Sequence, residues 1–95
     1  MSIALSELAE NSLNEIFDYY IENADFNVAE DIETRILAQI KSLAGFEEAI
    51  PKSEIYPGTR KLVISKLPYV AFIRNLPSGS WEVVDIVHTS RKLPK

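Results

Sequence analysis

The sequence contains no cysteine, only one histidine and no long run of apolar residues. Without cysteine, neither a disulfide framework nor a thiolate metal site can form, which fits a reducing cytosol. Residues 1–12 have neither a basic start nor a hydrophobic stretch of adequate length, so we expect no signal peptide, no membrane contact and a cytoplasmic location. A phosphate-binding glycine loop, a dinucleotide motif and a serine-nucleophile motif are also absent, and we expect no cofactor.

Charge is distributed unevenly along the chain, although its net charge is only −4. Residues 1–50 hold eleven acidic and two basic side chains, whereas residues 51–95 hold three acidic and eight basic ones. The acidic group Glu30, Asp31 and Glu33 fits the solvated start of a helix, and we predict no metal site there. The sequence therefore predicts a bipolar domain with an acidic front half and a basic back half.

Two amphipathic helices are predicted in the acidic half. Apolar residues recur at helical spacing after Ser6, a good N-cap, and predict a first helix over residues 7–23. A second helix is predicted to open at a capping box formed by Asn27 and Glu30 and to end at Gly45. Only three or four residues separate these helices, which favours an antiparallel hairpin.

Three strands are predicted in the basic half, over residues 60–65, 69–74 and 81–88. Each is rich in β-branched or aromatic residues, and short turns containing proline or glycine join them. Residues 2–5 could add an edge strand. Simple alternation places Glu82, Val84, Ile86 and His88 on one face of the last strand and Trp81, Val83, Asp85 and Val87 on the other.

These elements predict an α+β fold with a single domain over residues 1–95. A short N-terminal strand and an antiparallel helical hairpin would pack on a three- to four-stranded, mainly antiparallel sheet. We expect the hairpin to cover one face of the sheet and to leave a semi-apolar groove on the other.

His88 is the only side chain whose ordinary pKa lies near neutrality. With Arg91 and Lys92 it could hold a phosphate while a proton moves, or it could simply cap the strand through a backbone carbonyl. Arg60 and Arg74 lie at predicted strand ends, where they could join such a cluster or form salt bridges with the acidic helices. The aromatic residues Tyr69, Phe72 and Trp81 are interpreted as sheet core or groove floor.

Three segments of the chain carry a family resemblance. They are NEIFDYYIE (14–22), PGTRKL (57–62) and VVDIVHTSRKLP (83–94). With the order of the elements, they make the chain resemble the RelE/ParE superfamily of toxin–antitoxin toxins over essentially its whole length. The resemblance implies one of two activities, because the RelE-like branch cleaves ribosome-bound messenger RNA, whereas the ParE-like branch inhibits DNA gyrase and is not a nuclease.

The residue after Tyr69 favours the ParE-like branch. The nuclease branch commonly has an arginine there, whereas this chain has Val70 within LPYVAFI, a stretch similar to ParE. A valine cannot stabilise a pentacovalent phosphate. Arg91 and Lys92 stand where two arginines are usual in the ParE-type ending. The resemblance therefore implies a type II toxin that poisons DNA gyrase and arrests growth, with no catalytic residue, as in plasmid-stabilisation systems.

The resemblance also implies partners and site residues. A cognate antitoxin, ParD-like or other, would wrap the groove and neutralise the toxin, and DNA would be reached only through that antitoxin. The residues implied for target binding are His88, Arg91, Lys92, Arg60 and Arg74. The residues implied for antitoxin binding are Tyr69, Phe72, Trp81 and Val83.

Two alternatives stay open at this point. A RelE-like endoribonuclease would use His88 as the acid or base and Arg60, Arg74 and Arg91 to hold phosphates. An inactive module would bind an antitoxin without arresting growth.

Overall fold

The computed structural model describes residues 3–44, 46 and 50–89. Within them the chain forms β1 (Ile3–Leu5), α1 (Glu7–Asn23), α2 (Phe26–Ala44), β2 (Arg60–Val63), β3 (Tyr69–Asn75) and β4 (Trp81–His88). The strands form one sheet in the order β1-β4-β3-β2. Strand β1 runs parallel to β4, and the other pairs are antiparallel. The predicted α+β architecture is confirmed.

Ser6 connects the sheet to helix α1. Its hydroxyl oxygen accepts a hydrogen bond from the Ala9 N–H at 3.0 Å, which caps the helix as predicted. The same hydroxyl donates to the Val84 carbonyl at 2.6 Å, and the Ser6 N–H donates to the Val83 carbonyl at 3.0 Å. The start of α1 is therefore fixed directly against β4.

Helix α2 begins earlier than predicted. The side chain of Asp25 accepts a hydrogen bond from the Val28 N–H at 2.8 Å, so Asp25 acts as the N-cap. The predicted capping box is wrong, because Asn27 and Glu30 both lie inside the helix whose first amide groups Asp25 already satisfies. The predicted C-terminal cap at Gly45 lies outside the described residues.

A bulge in β4 changes which of its side chains share a face. Phe72 pairs with Asp85 and Ile73 pairs with Val83, which leaves Val84 as an extra residue. Simple alternation predicts that Val83 and Ile86 lie on opposite faces, but both are buried in the same core. The predicted alternation is therefore wrong beyond Val84.

The core lies between the helical hairpin and one face of the sheet. Helix α1 packs on β4, and α2 packs on α1. The buried side chains that meet there include Ala9, Leu13, Ile36, Ile40, Leu62, Ala71, Ile73, Val83 and Ile86. Each large aliphatic side chain buried in this way contributes about 1.5–3 kcal/mol. Neither helix that the structure describes combines the length and the apolar character needed to span a membrane.

The opposite face of the sheet is covered at its centre. Phe72 points to that face, because its neighbours in β3 point into the core, yet Phe72 is fully buried. The ring of Tyr56, in the segment that precedes β2, packs edge-on against Phe72 with ring centroids 4.8 Å apart. The predicted open groove is therefore filled around Phe72.

Candidate functional site

The predicted target-binding residues fall at two ends of the sheet. His88 ends β4 opposite Tyr69, whereas Arg60 begins β2 and Arg74 lies near the end of β3, opposite Glu82. Glu82 and His88 are ~20 Å apart along β4, at 3.3–3.4 Å per residue. The structure thus brings Arg60 and Arg74 together, but it does not bring His88 to them.

His88 lines a cavity of about 270 Å³ between α1 and the sheet. Its ring meets that of Tyr69 edge-on, with centroids 5.3 Å apart and an interplanar angle of 89°. The Tyr69 hydroxyl donates to the Tyr20 hydroxyl at 3.3 Å. We call His88, Tyr69 and Tyr20 the histidine end of the sheet. Arg91 and Lys92, the predicted neighbours of His88, lie outside the described residues.

Three basic side chains, Lys52, Arg60 and Arg74, line a second cavity of about 410 Å³. We call them the cationic end of the sheet. The Arg60 guanidinium donates from Nη1 to the Ile50 carbonyl at 2.7 Å. The Arg74 Nε–H donates to Glu82 Oε1 at 2.6 Å, so the salt bridge of Arg74 is made within the sheet and not with the helices.

Lys52 belongs to a short segment that is pinned beside β2. The Ser53 N–H donates to the Thr59 carbonyl and the Lys61 N–H donates to the Pro51 carbonyl, both at 2.9 Å. These two bonds flank Lys52 and hold it against the sheet. The sequence does not predict Lys52 as a site residue, because a single paired residue leaves no periodic pattern.

Asp85 ties α1 to the segment that covers Phe72. Its Oδ1 accepts from the Ser12 hydroxyl at 2.7 Å, and its Oδ2 accepts from the Tyr56 hydroxyl at 3.3 Å. Burial raises the pKa of Tyr56 above its ordinary value of 10.0, and the charge of Asp85 and the hydrogen bond to it raise that pKa further. The sequence does not predict these two hydrogen bonds of Asp85, since their partners are far from Asp85 along the chain.

The four residues predicted to contact an antitoxin are buried. Tyr69, Phe72, Trp81 and Val83 each expose 3% or less of their surface. A side chain so deeply buried adds almost no contact area to an interface. In this structure the four are core residues.

Comparison with known proteins decides the family. The model of the family described as the ParE toxin of the type II toxin–antitoxin system parDE matches residues 3–93. The chain belongs to this ParE toxin family. The predicted resemblance to the ParE-like branch is thereby confirmed.

The fold of this ParE-family chain is shared with a solved structure, the chromosomal ParDE toxin–antitoxin system from P. aeruginosa. The two superpose with a TM-score of 0.81 at 24% sequence identity, over 95% of this chain and 97% of that chain. No curated protein sequence matches the chain. Identity at this level supports a common fold, and the role of each residue has to be argued from the structure itself.

For a ParE-family toxin, the two ends of the sheet offer different chemistry. The histidine end offers one imidazole among tyrosine rings, in a small cavity beside α1. The cationic end offers two guanidinium groups and one ammonium group, which bind oxygen anions well. In the part of the chain that the structure describes, no three acidic or histidine side chains are grouped to hold a metal ion.

Proposed function

We propose that this ParE-family toxin arrests growth by poisoning DNA gyrase through protein contacts and that a cognate antitoxin neutralises it. The family match over residues 3–93 supports the toxin role. The choice of mechanism rests on one distance. Along β4, His88 lies ~20 Å from Glu82, the residue that pairs with Arg74, at 3.3–3.4 Å per strand residue.

This separation affects the two mechanisms differently. In a nuclease, the acid or base and the cations that stabilise the phosphate must all lie within about 3 Å of the reacting group. His88 therefore cannot share one phosphate with Arg60 and Arg74. A protein–protein contact buries about 800 Å² on each partner, a patch roughly 30 Å across, so it can include both ends of the sheet.

Val70 supports the same choice. It is buried on the face of the sheet opposite the helices, where it pairs with Val63 in β2 and with Val87 in β4. This part of the sheet is thus made of three neighbouring valines. It offers no charge with which to stabilise a phosphate in a transition state.

Exposed apolar side chains of the helical hairpin are the better candidates for antitoxin contact. Tyr19 on α1 and Phe26 on α2 are both more than half exposed. Leu8 and Ile21, also on α1, are exposed as well. Contact with a partner would remove this apolar surface from water. We therefore place the antitoxin on the hairpin rather than on the four buried residues.

The direct test is a cleavage assay with purified toxin, DNA gyrase, ATP and supercoiled plasmid. Detergent and protease are added before linear DNA is counted, so that trapped cleavage complexes are released as linear product. We expect linear DNA to accumulate with the toxin and to disappear when an equimolar amount of the cognate antitoxin is present. Changing either end of the sheet, by His88→Gln or Arg74→Gln, should lower the yield about tenfold, as for residues central to an interface.

The matched control is Lys41→Gln, which removes one exposed charge from α2, at a residue that lines neither of the two cavities. It should leave the yield of linear DNA unchanged. Absence of linear product, from folded toxin that still binds its antitoxin, would reject the gyrase proposal. Transcript cleavage in a translating extract that His88→Ala abolishes would then indicate the RelE-like activity, and absence of both activities would indicate an inactive module.

A further inference from the structure

We infer that the cationic end is a binding site for an acidic peptide segment of a protein partner. Lys52 and Arg60 face each other in an antiparallel bridge. The hydrogen bonds that hold them lie on either side of the pair, which makes it the closer kind of antiparallel pair, with Cα atoms about 4.5 Å apart. Like charges placed directly opposite each other destabilise a sheet, so this pair weakens the fold unless an anion lies between them.

Arg74 adds a third positive charge to the same cavity. Arg60 pairs with Ile73, the residue that precedes Arg74 in β3, so the two arginine side chains leave opposite faces of the sheet, and both residues line the cavity at its end. Glu82 balances Arg74, which leaves an excess of two positive charges at the cationic end. Among the cavity-lining residues that the structure describes, none carries a carboxylate. A partner that supplies two carboxylates would therefore complete the charge balance.

The cavity is also organised in advance of binding. The hydrogen bond from Arg60 to the Ile50 carbonyl fixes its guanidinium, and the salt bridge to Glu82 fixes that of Arg74. A side chain that is already held loses less conformational entropy when a ligand binds. Arginine also presents a planar set of donors that matches the two oxygens of a carboxylate.

The arrangement of charge favours a peptide over a nucleic acid. Nucleic acids bind to stripes of basic side chains that follow successive phosphates, whereas these three basic residues line one cavity of about 410 Å³. The described parts of α1 and α2 carry most of the acidic side chains, which repel a polyanion. A pocket of this size suits a short segment with two acidic side chains.

Binding can be measured without gyrase or antitoxin, so the result stands whether or not gyrase is the target. Trp81 is the only tryptophan in the sequence and lines the cavity, so its fluorescence reports on occupancy. The probe is the peptide Ac-Asp-Glu-NH2, and the matched control probe is Ac-Asn-Gln-NH2. Isothermal titration calorimetry of the protein with each of the two peptides gives a second readout that does not depend on Trp81.

We expect saturable binding of the acidic probe and at least tenfold weaker binding of the neutral one. Lys52→Gln and Arg74→Gln should each weaken binding of the acidic probe about tenfold, because each removes a charge-assisted contact. The matched control variant is Lys66→Gln, which removes an exposed lysine from the turn between β2 and β3, at the histidine end. It should change the affinity less than twofold, as expected for a distant surface charge.

Three results would overturn the inference. The first is equal binding of the acidic and neutral probes, and the second is equal weakening by Lys52→Gln and Lys66→Gln, which would indicate only a general effect of net charge. The third uses a ten-nucleotide oligothymidylate as an additional probe. Tighter binding of the oligonucleotide than of the acidic peptide, with loss in Lys52→Gln and Arg74→Gln, would assign the site to phosphates instead.

Discussion

The histidine end and the cationic end belong to the same sheet, but different forces build them. At the histidine end, Tyr69 is buried in the core, its ring packs on His88, and its hydroxyl reaches Tyr20. At the cationic end, like charges face each other, and backbone hydrogen bonds hold them in place. Packing stabilises the first end, whereas the second end carries electrostatic repulsion that the rest of the fold has to offset.

This difference indicates which substitutions should change folding stability and which should change partner binding. Truncating the buried Tyr69 at the histidine end removes apolar contacts, so it affects folding before it affects any partner. A change at the cationic end removes exposed charge, so it affects a charged partner before it affects folding. A Tyr69 substitution should therefore lower stability more than binding, whereas a substitution at the cationic end should lower binding more than stability.

The largest expected effect is at Tyr69. Tyr69→Ala should lower the free energy of unfolding by about 3–5 kcal/mol, because it leaves a cavity where a large ring is buried. Tyr69→Phe removes only the hydroxyl that reaches Tyr20 and should cost about 1 kcal/mol. Urea unfolding of both variants beside the wild type measures these losses. A loss below about 1 kcal/mol for Tyr69→Ala would contradict the view that packing builds this end.

A smaller, pH-dependent effect is expected at Tyr56, between the two ends. Because the pKa of Tyr56 is raised in the folded chain, its contribution to stability is present below pH 10.0 and is lost as the pH rises through the raised value. Tyr56→Phe should therefore cost about 1 kcal/mol at pH 8, and this difference should shrink above pH 10. Urea unfolding of wild type and Tyr56→Phe at several pH values measures it. A difference that stays constant up to pH 11 would contradict a raised pKa of Tyr56 in the folded chain.

The smallest expected effect has the opposite sign. Lys52→Gln should raise the free energy of unfolding by a few tenths of a kcal/mol, because it relieves the repulsion between Lys52 and Arg60. Lys66→Gln, which also removes one exposed lysine, should leave stability unchanged. Replicate urea titrations at low salt, where repulsion is least screened, are needed to resolve the difference. A lower free energy of unfolding for Lys52→Gln than for the wild type would contradict the proposed repulsion between Lys52 and Arg60.

The sequence predicted the elements well where local chemistry decides them. Helix α1 and strand β4 have the predicted bounds, since Ser6 caps the helix and a turn containing Gly79 precedes the strand. Helix α2 was predicted to start too late. Asp25 and Asn27 are both good N-cap residues, and the sequence alone does not show that Asp25 takes this role. The fold class follows from the order of elements, which these local errors do not change.

The candidate site was predicted less well, because it depends on pairings between distant residues. The extra residue Val84 changes the faces of β4, and no periodic pattern marks it in advance. The same limit applies to Lys52, whose role depends on the bridge to Arg60. It also applies to the burial of Phe72, which depends on a loop that happens to place Tyr56 above it. Residue type correctly suggested that Tyr69, Phe72 and Trp81 belong to the core, whereas the antitoxin contacts implied by the resemblance fall on these buried residues.

The position of β1 has a consequence for how the toxin is made. Ser6 and β1 bond to β4, across up to 78 residues of sequence. During synthesis, β1 leaves the ribosome long before β4 exists, so the sheet cannot close and α1 cannot be anchored until the last described strand has emerged. Contacts between such distant residues also slow folding. We therefore expect the growing chain to be harmless for most of its translation, an interval in which an antitoxin can already be present.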